Sequence, residues 1–391
     1  MPHIVYAMHT GISSGKIDVL VIGGGLAGCS TAYFLAREGV GVTLVERGDL
    51  NMQASGANAG GLHAQIPHLT WLEEGDAWAA AFAPVVPMLV QGIELWATME
   101  TELQTDLECH IAGGILLAET PAQMRDIARR MKIEHSVGLE IHGLTRDEVR
   151  HLAPYVGDTV IGGCFCPVEG KANPLHSTRA FALRAQQRGA TIQRHTEVLA
   201  IEAAPGGYNV TTSRGVMRAA RIVNAAGADA GRIAAMLGIR LDVQGVPIQV
   251  SVTAPVERFT SHLVYAAGRR LTLKQAANGT ILIGGGWPGA LDAQGNPVVD
   301  PTSLLGNLAM ACAMVPGVAG AELVRSWAAI VNGTADWHPI LGEVPGQPGF
   351  YMNFFPWTGF TAGPLASLVT AELILGRKPS FDITSCSVLA A

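Results

Sequence analysis

Residues 17–22 (IDVLVI) form a short apolar, β-branched run, as expected of a strand buried on both faces. A glycine-rich turn spans 23–28. The stretch that follows (CSTAYFLAREG, 29–39) sets Tyr33, Phe34 and Ala36 on a face with Leu26 and Ala27, which predicts a helix packed on a sheet and stopped by Gly39. Residues 40–45 give a second apolar strand ending at Glu46. Together these predict a β–α–β unit, with parallel strands because such crossovers are right-handed.

Further along, 77–103 reads as helix, broken early by Pro84 and Pro87. The pattern predicts a strand over 111–118, a helix over 121–135, and a helix over 173–189 introduced by Asn173 as cap and Pro174 in the first turn. Strands are expected over 191–201, 208–212 and 220–224, and a helix over 229–238. A strand-rich block covers 246–284, followed by helices over 301–315 and 360–376. Such interleaving predicts an α/β core with an inserted antiparallel sheet. No repeat of fixed period and no low-complexity linker interrupts it.

The length of 391 residues allows about two domains at roughly 150 residues each. Charged residues are 15% of the chain against a usual share of about 25%, so the surface is poor in charge. Apolar residues at 49% and a mean hydropathy of +0.28 exclude disorder. The same balance suggests that part of the surface is covered by another chain, although a large, efficiently buried monomer gives a similar one. A net charge of −6 without a basic block argues against nucleic acid. Six cysteines (29, 109, 164, 166, 312, 386) lack any C-x-x-C pair, so no disulfide framework, metal site or iron–sulfur site is expected. Cys164 and Cys166 would face the same side of an extended segment, as small core residues. The first 16 residues lack an apolar signal core, and no run of about 18 apolar residues is expected to span a bilayer. The expected compartment is the cytoplasm.

Gly23, Gly25 and Gly28 form G-x-G-x-x-G between strand and helix. The first glycine permits the tight turn, the second lets the backbone approach a pyrophosphate, and the third lets helix and strand close up. The helix N-terminus offers N–H donors to phosphate. Glu46, at the tip of the second strand, suits a ribose diol. The pattern points to a dinucleotide, either NAD or FAD.

Later clusters narrow the choice. Ser55-Gly56-Ala57-Asn58-Ala59-Gly60-Gly61, Val223-Asn224-Ala225-Ala226-Gly227-Ala228-Asp229 and Thr358-Gly359-Phe360-Thr361-Ala362-Gly363-Pro364 follow in that order. With the first motif they resemble the FAD-dependent D-amino-acid oxidase superfamily, which holds glycine and sarcosine oxidases. The strings ASGANAGGLHAQ (54–65) and LTLKQ…GTILIGGGWP (271–288) look most like the flavin β subunits of heteromeric opine, proline and hydroxyproline dehydrogenases.

That resemblance implies a glutathione-reductase-like fold of the D-amino-acid oxidase type. A Rossmann-like FAD-binding domain would comprise 17–70, 171–240 and 335–385; the substrate and interface domain would comprise 71–170 and 241–334, with 1–16 as an extension. It implies FAD held by Gly23, Gly25, Leu26, Ala27, Gly28, Glu46 and Arg47 at its ADP half. Ser55, Gly60, Gly61 and Leu62 would follow the pyrophosphate toward the ring. Val198 would read adenine, Gly227 would pass close by, and Gly359, Phe360 and Thr361 would meet the pyrimidine edge. The dipole of the last helix would favour an anionic reduced flavin. Attachment would be noncovalent, because no Cys stands in 328–332 and no W-H-A-A-G string is present.

At the substrate end, the family's W-A-G-x-R-P-x-T-x-D string reads WAAIVNGTAD over 327–336, with Val331 where an Arg would clamp a carboxylate. Arg269, Arg270 and Lys274 are candidate replacements. His63 could orient the substrate or accept a proton, and Lys274 joins it as a candidate catalytic and substrate-binding residue. Trp287 and Trp357 could wall an amine. Asp336, before His338, is read as stabilising its loop. Neither a metal nor a catalytic triad is expected, since the cofactor carries the reaction.

The resemblance therefore implies oxidation of a C–N bond in an amino acid or secondary amine, opine- or proline-like, with hydride passing to flavin N5. The chain would be the β subunit of a complex with a larger flavoprotein and a small ferredoxin-like chain, which could carry FMN or an iron–sulfur cluster. A stand-alone oxidase using oxygen, or a flavin electron-relay subunit without its own substrate, remain alternatives.

Overall fold

The computed structural model describes residues 16–385, 387 and 389. The extension expected over 1–16 lies outside these except for Lys16, and so does Cys386. Strand β1 (Ile17–Ile22) and helix α1 (Leu26–Arg37) are followed by strand β2 (Val42–Val45). The two strands pair in parallel, Val19 with Val42 and Ile22 with Val45. Ten of the twelve residues of α1 are buried. Its apolar character all round follows from its place between the helices Pro174–Gln187 and Gly359–Ile374. Ser30 Oγ meets this demand by donating to Leu26 O and lying 2.8 Å from Ser367 Oγ.

The first sheet runs in the order 198–204, 207–212, 215–224, β1, β2, 191–193. Phe350–Phe354 adds in parallel to Gly215–Asn224. The single strand expected over 191–201 is two strands. Thr191–Gln193 pairs with β2 at one edge, while Val198–Ala204 sits at the opposite edge. The chain passes from one edge to the other through 194–197, past the end of β2, with His195 at φ +52 and Thr196 N–H donating to Glu46 O. This crossing brings Val198 back to the end of β2.

A second sheet, mostly antiparallel, runs 323–333, 244–253, 281–284, 272–275, 263–266, 114–118, 162–166, 142–145. The strand expected over 111–118 is broken at Gly113, whose φ of +91 turns the chain between His110–Ile111 and Gly114–Ala118. Gly61–Leu62, Gly170–Lys171 and His110–Ile111 form a short separate sheet. Helices 121–136 and 174–187 match expectation, the latter with Asn173 accepting from Leu175 N–H. The helix expected over 229–238 shortens to Ala230–Ala235 after a 3₁₀ turn. His68–Glu74 is a helix the pattern did not show.

The helical run Asp76–Leu103 is long and apolar enough by length and composition alone to cross a bilayer, a test that a buried core helix also passes. Half of its most apolar window is buried inside the protein. Phe82, Val86, Leu89, Ile93 and Trp96 belong to the main core cluster. Cys164 and Cys166 are both fully buried there, as their spacing predicts.

Candidate active site

Two cavities adjoin between the sheets. The first, of about 470 Å³, begins where β1 ends. Gly23 has φ +114, and a Cβ there would lie 2.4 Å from Ala225 O, so only glycine makes this turn. Gly25 caps α1 without a side-chain bond, and the first turn carries no acid, which leaves a positive helix end facing the cavity. Ser55 Oγ accepts the Leu26 N–H at 2.9 Å. Glu46 accepts from Gly24 N–H at 2.7 Å and from Gly48 N–H at 2.8 Å. Arg47 lines the same wall and pairs with Asp229 at 2.8 Å.

Gly23, Gly25, Leu26, Ala27, Glu46, Arg47, Ser55, Val198, Gly227, Gly359 and Phe360 all line this first cavity. Gly28 does not: it packs on Gly23, where a Cβ would meet the carbonyl oxygen at 1.9 Å. Gly60 and Leu62 line neither cavity. A Cβ on Gly60 would meet Ala172 O at 2.1 Å, and Leu62 is turned wholly into the core.

The second cavity, about 490 Å³, shares Ala54, Asn58, Val331, Trp357 and Phe360 with the first. Gly61, His63, Lys274 and Thr361 line it, with Arg269 and Arg270 on its exposed side. Arg270 already pairs with Glu73 at 3.4 Å. Trp357 is held with φ +53 by its N–H on Asn332 O and its indole on Thr334 O. It stacks on Trp337 at 5.2 Å, and Trp337 is itself in the wall. Trp287 is not in the wall. Its indole donates to Arg270 O at 2.6 Å and its ring packs over Gly306. Asp336 accepts from His338 N–H at 3.1 Å, in keeping with a loop-stabilising role.

The back wall holds a network that the sequence did not reveal. Glu169, fully buried, accepts from Ala64 N–H, Gln65 N–H and the Gln65 amide at 2.7, 3.0 and 2.8 Å. Tyr265 donates to the same carboxylate at 3.0 Å and lies 2.7 Å from His63 Nδ1. Arg130, also buried, donates to Gln65 Oε1 and Ile66 O and stands 3.3 Å from Glu134. Burial pushes the Glu169 carboxyl above its usual range. Burial and the neighbouring Lys274 hold His63 down to about 3.

Lys274 is only 2% exposed. Its ammonium has no hydrogen-bond or ion-pair partner among the described residues. Burial first, and Lys171 second, lower it to about 7. It also lines a third cavity of about 890 Å³, which meets the second at Ala57, Asn58, Ala59, Lys274 and Ala329. Among the described residues no group of His, Cys, Asp or Glu is placed to hold a metal.

Residues 18–373 match the model of a family described as FAD dependent oxidoreductase. The chain belongs to that family. It is 28% identical to glycine oxidase of Geobacillus kaustophilus over 95% of its own length and 97% of that protein. It is 27% identical to a subunit of the opine oxidase of Rhizobium meliloti, covering 94% and 96% of the two chains. A crystal structure of glycine oxidase from Geobacillus kaustophilus superposes with a TM-score of 0.83 at 26% identity, over 96% of this chain and 99% of that one. The protein is thus an FAD-dependent oxidoreductase of the D-amino-acid oxidase type, with the mixed α/β fold of that group.

The structure offers FAD a fitting site. Asn353 Oδ1 is a buried acceptor without a partner in the wall of the first cavity, and Thr358 Oγ1 is another in the wall of the second. The uncapped glycine end of α1 supplies donors for phosphate.

Proposed function

We propose that this FAD-dependent oxidoreductase oxidises the C–N bond of an amino acid or secondary amine bearing a carboxylate, opine- or proline-like, in the second cavity. The observation that carries this reading is Lys274: a buried, unpartnered cation in the cavity wall. An isolated buried charge costs several kcal/mol, and an arriving carboxylate offsets that cost. Val331 occupies the junction of the two cavities and offers no charge, so the carboxylate is taken by Lys274, with Arg269 at the mouth. Trp357, Trp337 and Phe360 form an apolar wall for the rest of the substrate.

In this reading Gly23, Gly25, Leu26 and Ala27 hold the pyrophosphate, Glu46 and Arg47 the ribose, and Val198 the adenine. Ser55, Gly61, Gly227, Gly359, Phe360 and Thr361 hold the rest. Bound FAD supplies a two-electron acceptor beside the carbon that carries nitrogen. His63 orients the amine and accepts its proton. The first sheet carries the cofactor part (17–70, 171–240, 335–385) and the second the substrate part (71–170, 241–334). The test is Lys274→Met, which should weaken amino-acid substrates by at least about tenfold and leave the matching decarboxylated amines unchanged.

We further propose that the chain is the β subunit of a complex with a larger flavoprotein and a ferredoxin-like chain, where FMN or an iron–sulfur cluster would reside. Similarity to the opine oxidase subunit over nearly the whole chain supports this. So do the charge-poor composition and the exposed Met52 and Leu175 beside the third cavity. A stand-alone oxidase is the second reading, favoured by the similarity to glycine oxidase. A cytoplasmic location rests on the five free cysteines among the described residues.

A further inference from the structure

We propose that His63, Tyr265 and Glu169 form a proton wire through which a proton leaving the substrate nitrogen at His63 Nε2 comes to rest on Glu169. This rests on the reading of the second cavity as the amine site.

The hydrogen bonds fix the starting state. Glu169 accepts four hydrogen bonds, two at Oε1 and two at Oε2, which suits an ionised carboxylate. Tyr265 has one proton and gives it to Glu169 at 3.0 Å. At 2.7 Å from the same hydroxyl, His63 Nδ1 must therefore be the donor. Nε2 is left with its lone pair. It stands beside Gly61, where a Cβ would lie 2.4 Å away, so the missing side chain keeps that ring edge open to the cavity both residues line.

The transfer balances without charging the imidazole. Nε2 takes a proton from the substrate ammonium and Nδ1 passes its proton to Tyr265 Oη. Tyr265 passes its own proton to Glu169 Oε2. The products are a neutral amine and a carboxylic acid, with histidine and tyrosine neutral as before. No electron moves in this step. Both links within the protein are hydrogen bonds already made, so along them only protons shift.

The surroundings favour this end state over an imidazolium. Lys274 faces His63, and Lys171 faces Lys274, so positive charge on the ring is opposed from that side. Burial keeps Tyr265 protonated and raises the proton affinity of Glu169. Arg130, Cys164 and Cys166 lie close enough to the carboxylate to feel its charge, and Glu134 stands beside Arg130. The two thiols stay neutral through burial, and Arg130 is shared with Glu134, so Glu169 remains able to take the proton. A histidine held down to about 3 is a poor base alone. As the first link of a wire it need never become a cation.

The wire makes a structural prediction that needs no substrate. In Glu169→Gln, the amide oxygen must face the Ala64 and Gln65 N–H groups, which turns the NH₂ toward Tyr265. Tyr265 then donates to Nδ1, and the tautomer of His63 reverses. The measurement is nitrogen NMR of the FAD-loaded protein with ¹⁵N-labelled histidine, His63 being assigned with His63→Asn. Wild type should show Nδ1–H with Nε2 bare at neutral pH, and Glu169→Gln should show Nε2–H. Tyr265→Phe, which keeps the ring and the fold, should lose the single-tautomer signature. With a reducing amine, both variants should slow flavin reduction by about 100-fold or more, the usual scale of acid–base catalysis. An unchanged tautomer in Glu169→Gln, or Nε2–H in wild type, overturns the wire whatever the substrate. Normal tautomers with rates within threefold of wild type overturn its role in transfer and leave the amine reading standing. Failure of every amine to bleach the wild-type flavin overturns the amine reading, and the wire's function with it.

Discussion

A Cβ on Gly28 would lie 1.9 Å from the carbonyl oxygen of Gly23, whereas one on Gly25 would meet only the Ser55 side chain, at 2.9 Å. The outer two glycines of the motif therefore hold helix to strand, and the middle one holds open the ligand's space. Gly28→Ala should destabilise the fold by about 1–3 kcal/mol, the range for overpacking a tight contact. Gly25→Val should leave the far-ultraviolet circular dichroism intact and yield colourless protein. Thermal unfolding and flavin absorbance separate the two.

Among the described residues no Cys lines either the first or the second cavity. FAD should be bound without a covalent link. Acid precipitation should release it as free FAD, and flavin retained on the washed precipitate would overturn this.

The β–α–β unit was legible because strand, glycines, helix and acid lie within 30 residues of chain and each has a local physical signature. Lys274 could be named only as one of three basic candidates, with Arg269 and Arg270, to replace the missing arginine clamp. The back wall was not legible. Glu169 and Tyr265 come together over 96 positions of sequence, and Tyr265 in a partly buried strand looks like any aromatic core residue. Trp287 failed for a related reason. It was named as an aromatic wall for an amine, but its indole is tied to Arg270 O and its ring packs over Gly306. The continuous pattern over 191–201 hid a crossing, because periodicity records burial and not which edge a strand joins.

Lys274 lowered to about 7 gives a proton-linkage signature. At pH 8 the free enzyme holds it largely neutral. A bound carboxylate raises its pKa, so binding a carboxylate inhibitor should take up nearly one proton at pH 8 and almost none below pH 6. Calorimetry in buffers of different ionisation enthalpy reads this, and Lys274→Met should abolish it.

The same residue sets a stability trend. Its folded value lies below the unfolded 10.5, so the unfolded chain binds more protons between about pH 7 and 10.5. Stability should therefore rise with pH across that window relative to Lys274→Met, and the gap should be constant below it. Urea unfolding at pH 6, 8 and 9.5 checks the sign.

If the chain is a β subunit, the isolated protein should self-associate and its reduced flavin should reoxidise slowly in oxygen. Co-expression with its partners should restore turnover with a phenazine dye, through an interface of about 2,000 Å² or more. A monodisperse monomer consuming oxygen at turnover rates with an amine would establish the oxidase reading instead.

The central claim is oxidation of a carboxylated amine by this FAD enzyme through a site built around Lys274 rather than an arginine clamp. Anaerobic stopped-flow reduction with a panel of amines tests it most directly. N-substituted or cyclic amino acids, including opines and proline-like compounds, should bleach the flavin fast, with glycine and D-alanine poor. Bleaching as fast by the matching decarboxylated amines, or undiminished by amino acids in Lys274→Met, would contradict it.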